Sequence, residues 1–150
     1  MKRESEVVGM DVLIVANETA GGEHLRAEVS RLMKLGANNF TLLVPATRPR
    51  GTLTYTEGEA HAIASERMAH AVTALSALGA DIEGVVGIER PMDAVLDILL
   101  ERHFDEIIVS TLPHGISRWL RMDLPARVAR ASGLPVHHII GTGDRETVTA

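Results

Sequence analysis

Between positions 110 and 121 the sequence gathers most of the chemistry it has: Ser110, Thr111, His114, Ser117, Arg118 and Arg121, set around Gly115. Hydroxyls beside an imidazole can begin a nucleophile and proton-shuttle constellation, provided the ring comes within hydrogen-bond reach of a hydroxyl. Two arginines next to the free N–H groups of a short helical turn can instead grip an anion through charge-assisted bonds. The competing reading leaves Arg118 and Arg121 on a solvated face while Trp119 and Leu120 pack inward. A second polar set, Asn17-Glu18-Thr19, follows an apolar run near the N-terminus and offers an amide, a carboxylate and a hydroxyl.

Other polar features carry less. His137 and His138 adjoin within a strand-like run, so their side chains point to opposite faces and cannot share one metal. Asp93, Asp97 and Glu101 fall on the outer side of a helix, where they solvate it. Asn17-Glu18-Thr19 also matches a glycosylation triplet, but at a buried strand end. Gly141-Thr142-Gly143 starts like a dinucleotide fingerprint with no helix pattern after it. There is no G-x-x-x-x-G-K-[ST], H-E-x-x-H or G-x-S-x-G, and no cysteine, which removes thiol catalysis and thiolate metal sites.

The chain has 150 residues, 45% of them hydrophobic and 23% charged, which suits one soluble domain spanning 1–150. A net charge of -5 and four scattered aromatics, Phe40, Tyr55, Phe104 and Trp119, argue against a nucleic-acid binder. Thirteen of the fifteen basic residues are arginine, a bias that genomic base composition can also produce. The N-terminal arm 1–9 has acidic Glu4 and Glu6 where a signal peptide needs an apolar run, and no apolar stretch approaches bilayer length. Cytoplasmic residence is the expectation.

Five strand-like runs alternate with amphipathic segments, the pattern of an α/β domain with a parallel sheet. The runs are 11–16, 40–44, 82–87, 106–110 and 136–140. Helical spacing links Leu25, Val29, Leu32 and Met33, then Ala60, Ala64, Met68, Ala71, Leu75 and Leu78 over 59–78, then Val95, Ile98 and Leu99 after Pro91. Glycines 36, 79 and 133 stand where helices should stop. The loop 46–58 is long for such a fold and is a candidate lid. The polar tail 141–150 is expected to fray. Open α/β sheets bind ligands beyond the carboxyl ends of their strands, where strand order reverses. In the common order 3-2-1-4-5 that point lies between strands one and four, where Asn17-Glu18-Thr19 meets the loop starting at Ser110.

VLIVANET, LGADIEGVVG, DEIIVS and RVARASGLPVHHI, in that order and spacing, make the chain resemble the universal stress protein family over nearly its whole length. The resemblance implies a doubly wound sheet of five parallel strands in the order 3-2-1-4-5 with helices on both faces. It also implies a cytoplasmic protein, frequent dimerisation through the last strand (Val136 to Ile140), and in some members ATP at the switch point. Where the family's first loop carries aspartate, glycine and serine, this chain has Asn17, Glu18 and Thr19. Counted back from Pro135, the family's glycine-rich ATP motif falls on Val109, Leu112, Met122 and Asp123, with every glycine gone. Side chains there obstruct the close approach of backbone to phosphate. Asp123 with Pro125 suits the start of a final helix instead.

The function expected is a dimeric regulatory or small-ligand-binding module of the stress response, without ATP in the family's usual mode and without a cofactor or metal. Its ligand would meet Asn17, Glu18, Thr19, Ser110, Thr111, His114, Gly115, Ser117, Arg118 and Arg121. The alternative is an enzyme acting on a nucleotide or phosphate ligand at the same loops, which lacks a recognisable nucleophile-base pair. A third reading is an interaction protein whose pocket is filled by Leu112, Pro113 and Met122.

Overall fold

The computed structural model describes residues 10–48, 54–141 and 145–148; the arm 1–9 and part of the loop 46–58 lie outside them. Strand β1 (Met10–Val15) is apolar on both sides, and Val12, Leu13, Ile14 and Val15 have no exposed surface at all. A strand dry on both faces needs a neighbour on each edge for its backbone and a helix layer on each face for its side chains. β2 (Ala37–Pro45) and β4 (Glu106–Thr111) supply the edges, both parallel to β1. β3 (Asp81–Gly87) extends the sheet beyond β2, and β5 (Val136–Ile140) extends it beyond β4. The parallel part therefore runs 3-2-1-4-5.

Two helices cover each face. On one, α1 (Glu23–Lys34) and α2 (Glu57–Ser76) bury Leu25, Val29, Ala64 and Leu75 against Val12, Ile14, Ile108 and Ile139. On the other, α3 (Pro91–Glu101) and α5 (Leu124–Ser132) bury Val95, Ile98, Leu124 and Val128 against Leu13, Val15, Ile107 and Val109. Burying each of the valine, leucine and isoleucine side chains is worth about 1.5–3 kcal/mol, the main force holding the layers together. Gly36, at φ +107, turns the chain from α1 into β2 in a backbone region that disfavours other residues.

Several expectations are corrected. α2 begins inside the expected loop: Thr56 accepts from the Glu59 N–H at 3.0 Å while the Glu59 carboxylate accepts from the Thr56 N–H at 2.7 Å. This reciprocal cap satisfies two N–H groups and starts the helix early. Leu78 lies past the end of α2 and is exposed. The final helical stretch is two helices, α4 (Arg118–Arg121) and α5, broken at Asp123. Asp123 does occupy the N-cap position, but at φ 58 its side chain makes no capping bond.

The tail differs most. Residues Arg145–Val148 form β6, antiparallel to β5, with Val136 opposite Val148 and Ile139 opposite Arg145. The sheet is thus six-stranded, and the outer edge of β5 is paired within the chain. The edge expected to pair with a second copy, Val136 to Ile140, is therefore paired with β6 of the same chain. Within the chain, His137 pairs with Glu106 and His138 with Thr111.

Deleting residues 142–150 should uncover the β5 edge and promote strand pairing between copies. Light scattering is expected to show the shortened chain with a higher concentration-dependent mass than the 16.2 kDa chain. Equal mass curves would mean that β6 is not what keeps β5 from pairing.

Candidate functional site

All five parallel strands end on one side of the molecule, and the chain leaves β1 and β4 in opposite directions across the sheet. A crevice between their following loops is the geometric result. After β1, two consecutive turns set the loop, with Ala20 N–H donating to the Asn17 carbonyl at 3.1 Å and Gly22 N–H to the Thr19 carbonyl at 3.0 Å. Asn17 and Thr19 are buried beneath an exposed Glu18.

Asn17 is held on three sides. Its Nδ2 donates to the Pro45 carbonyl at 2.6 Å and to Thr47 Oγ1 at 2.9 Å, and its Oδ1 accepts from Arg67 on α2. The amide thereby ties the loop after β1 to the end of β2 and to α2. A carboxylate in its place could keep the Arg67 bond and accept from the Thr47 hydroxyl, but it could not donate to the Pro45 carbonyl.

At the end of β4, strand alternation sends Ser110 and Thr111 to opposite faces, and each meets an imidazole. Ser110 Oγ lies 2.6 Å from Thr19 Oγ1 and 2.9 Å from His24 Nε2 on α1. Thr111 Oγ1 lies 2.7 Å from His138 Nε2. The ring of His114 stands edge-on to His138, centroids 6.3 Å apart, so His24 and His138 take the hydroxyls that sequence offered to His114. Burial holds the His24 imidazole below its ordinary value near 6.5.

Between these groups lies a cleft of about 30 Å³ lined by Asn17, Glu18, Thr19, Thr47, Ser110, Thr111, Leu112, Ser117, Arg118 and Trp119. Ser117 is turned inward as the cap of α4, accepting from the Leu120 N–H at 3.2 Å. Arg118 reaches across to donate to the Arg48 carbonyl, and the Arg48 guanidinium stands 6.0 Å over the Tyr55 ring. Two grooves flank the cleft. One, of about 380 Å³, adds Gly21, Glu66, Arg67 and His70; the other, of about 560 Å³, adds Gly22, Glu23, His24, Ala27, Pro113 and Gly141.

Seven of the ten residues expected at the site, all but His114, Gly115 and Arg121, line this cleft. Gly115 forms the turn at φ +94, His114 is outside the lining, and Arg121 is exposed on α4. The arginine pair is thus split, and Arg118 alone faces the cleft. Of the three residues in the filled-pocket reading, Met122 is 40% exposed and outside the cleft lining, Leu112 lines the cleft and Pro113 lines a flanking groove. His24, Arg67 and His138 were not anticipated. Among the described residues no group of three or more histidines and carboxylates is placed to hold a metal ion, and no helix is long and apolar enough to cross a membrane.

Solved structures with the same arrangement identify the architecture. A universal stress protein solved in complex with cAMP matches with a TM-score of 0.57 at 20% identity, over 87% of this chain and 96% of its own. The fold is that of the universal stress proteins. A second such protein, from Archaeoglobus fulgidus, matches with a TM-score of 0.60 at 16% identity, over 86% of this chain and 92% of its own. No family model and no curated protein matches the sequence. Within the universal stress fold, Asp123 is the one described non-glycine residue with positive φ, whereas Met122 has φ -90.

Two outcomes test this geometry. Asn17→Asp should destabilise the fold by about 1–3 kcal/mol, because the Pro45 carbonyl loses its donor and gains a facing carboxylate; urea unfolding measures it, and an unchanged midpoint contradicts the tie. His24, whose folded value lies below the unfolded one, binds fewer protons when folded. Its contribution is fully present above about pH 6.5 and is lost as pH falls through the folded value. His24→Gln should therefore flatten the fall in stability between about pH 7 and pH 5.

Proposed function

We propose that this chain is a universal-stress-type regulatory module of the cytoplasm that binds a small ligand across the switch-point crevice and takes part in the stress response. The observation carrying this reading is the continuity of the crevice: the central cleft and its two grooves share Glu18, with Asn17 common to one side and Thr19 and Leu112 to the other. Thirty cubic ångströms is room for only one or two waters, so the cleft anchors a polar group while the rest of the ligand lies along a groove. Its lining suits that task, with the Thr19, Thr47 and Ser117 hydroxyls and a single guanidinium, Arg118, favouring a ligand with a hydroxyl or anionic group. The neighbour solved with cAMP supports a ligand of nucleotide size.

ATP in the family's usual mode does not suit this crevice. Side chains stand at Val109, Leu112 and Met122, where the resemblance puts the family's glycines, and the Asp123 carboxylate adds a charge that repels phosphate.

Thermal shift and calorimetry with ATP and magnesium, cAMP, cyclic dinucleotides and inorganic phosphate test the reading, since a ligand that prefers the native state raises its stability with concentration. The expected result is a shift with at least one of the other ligands and no saturable heat from ATP. A low-micromolar dissociation constant for ATP would sink the second part, and no shift with any of them the first. For an anionic ligand, Arg118→Ala should cost about 1.5–3 kcal/mol of binding, while Arg121→Ala, outside the cleft, should cost nothing measurable.

A further inference from the structure

Ser110 and His24 are 86 residues apart, yet Ser110 Oγ and His24 Nε2 stand 2.9 Å from one another. This is the separation of a nucleophile and its general base. Thr19 Oγ1, 2.6 Å from the same oxygen, completes a chain in which Thr19 donates to Ser110 and Ser110 donates to His24, the one direction that leaves the serine proton aimed at the imidazole. Ser110 is only 1% exposed, and the cleft it lines is the side from which a small electrophile would approach its hydroxyl. His24 lines the adjoining groove beside Ala27, Leu112 and Pro113. Nucleophile and base therefore lie on the boundary between a narrow polar cleft and a wider groove with an apolar wall.

We propose that Ser110 and His24 act as a nucleophile and general base that hydrolyse small carboxylic esters, with a short acyl group in the cleft and the alcohol part in the groove. Ser110 Oγ bonds to the carbonyl carbon as its proton passes to His24 Nε2. The ester C–O bond then breaks, and the departing alkoxide takes that proton and leaves as the alcohol. Water attacks the acyl-serine, giving its proton to His24; the carboxylic acid departs and the proton returns to Ser110, so the only co-reactant is water. Arg118 is the cleft's positive charge for the oxygen that becomes negative in both steps; one of its donors is engaged with the Arg48 carbonyl. The burial that keeps His24 neutral near pH 7 also keeps Nε2 free to accept.

This activity goes beyond ligand binding and fails separately from it: calorimetric binding without ester turnover overturns the present proposal and leaves the binding reading standing. The test uses p-nitrophenyl acetate for turnover and a fluorophosphonate for covalent capture, both on the full chain. Expected are hydrolysis above buffer, a rate that rises with pH to a plateau with its inflection below about 6.5, and a single adduct mapped by mass spectrometry to Ser110. Ser110→Ala and His24→Gln should each lower turnover by about 10²–10⁴-fold, with Arg121→Ala as an unchanged control. Thr19→Val should lower kcat more than it raises KM, and Thr19→Ser should restore kcat, as suits a positioning residue. Turnover unaffected by the Ser110 and His24 substitutions overturns the proposal. Should Ser110→Ala fail to fold, the adduct on the unmutated chain decides: on Ser110 it supports the proposal, and on another residue or absent it overturns it.

Discussion

Everything in this molecule is arranged around a strand that water does not touch. β1 has neighbours on both edges and helices on both faces, and Val12 through Val15 have no exposed surface. Right-handed crossovers take the chain from β1 one way to β2 and from β4 the other way to β5. The loops that follow β1 and β4 then cannot cover the gap between them. The crevice is the necessary by-product of a central strand placed in the middle of a doubly wound sheet.

Helices close that crevice as much as loops do. Arg67 from α2 holds Asn17 from one side, and His24 from α1 holds Ser110 from the other. Each polar group buried at the site has a partner, as the cost of an unpaired one requires. Ser110 and Thr111 each use one imidazole because a strand turns successive side chains to opposite faces. The core and the site are therefore one construction, since the same α1 that buries Leu25 and Val29 also places His24.

Most of the sheet was legible in the sequence because its signals are local. Val136 to Ile140 is read to the residue, β1 lies one residue earlier at both ends, and β4 runs one residue further at its end. The start of α2 has a local signal too, the Thr56 and Glu59 spacing of a reciprocal cap, set directly after a loop rich in proline and glycine. β6 was not, because Arg145–Val148 is mostly polar, and its pairing is decided by the open edge of β5 rather than by its own pattern. At the site, loop residues were found because strand order predicts which loops meet. Arg67 and His138 lie 50 and 27 residues from their partners, beyond any local spacing. His24 had a readable signal: it stands in the first turn of the helix that leaves the crevice.

Between α4 and α5, Asp123 holds a left-handed backbone that L-residues adopt at a cost of about 1–2 kcal/mol, with aspartate among the more tolerant. The main chain there already has the shape that glycine adopts freely; only a side chain has been laid over it. Replacing Asp123 with glycine would therefore relieve strain without altering the path of the chain. The turn between α4 and α5 is held by the helices that flank it and not by the residue at its apex, so its shape and its charge can be changed independently.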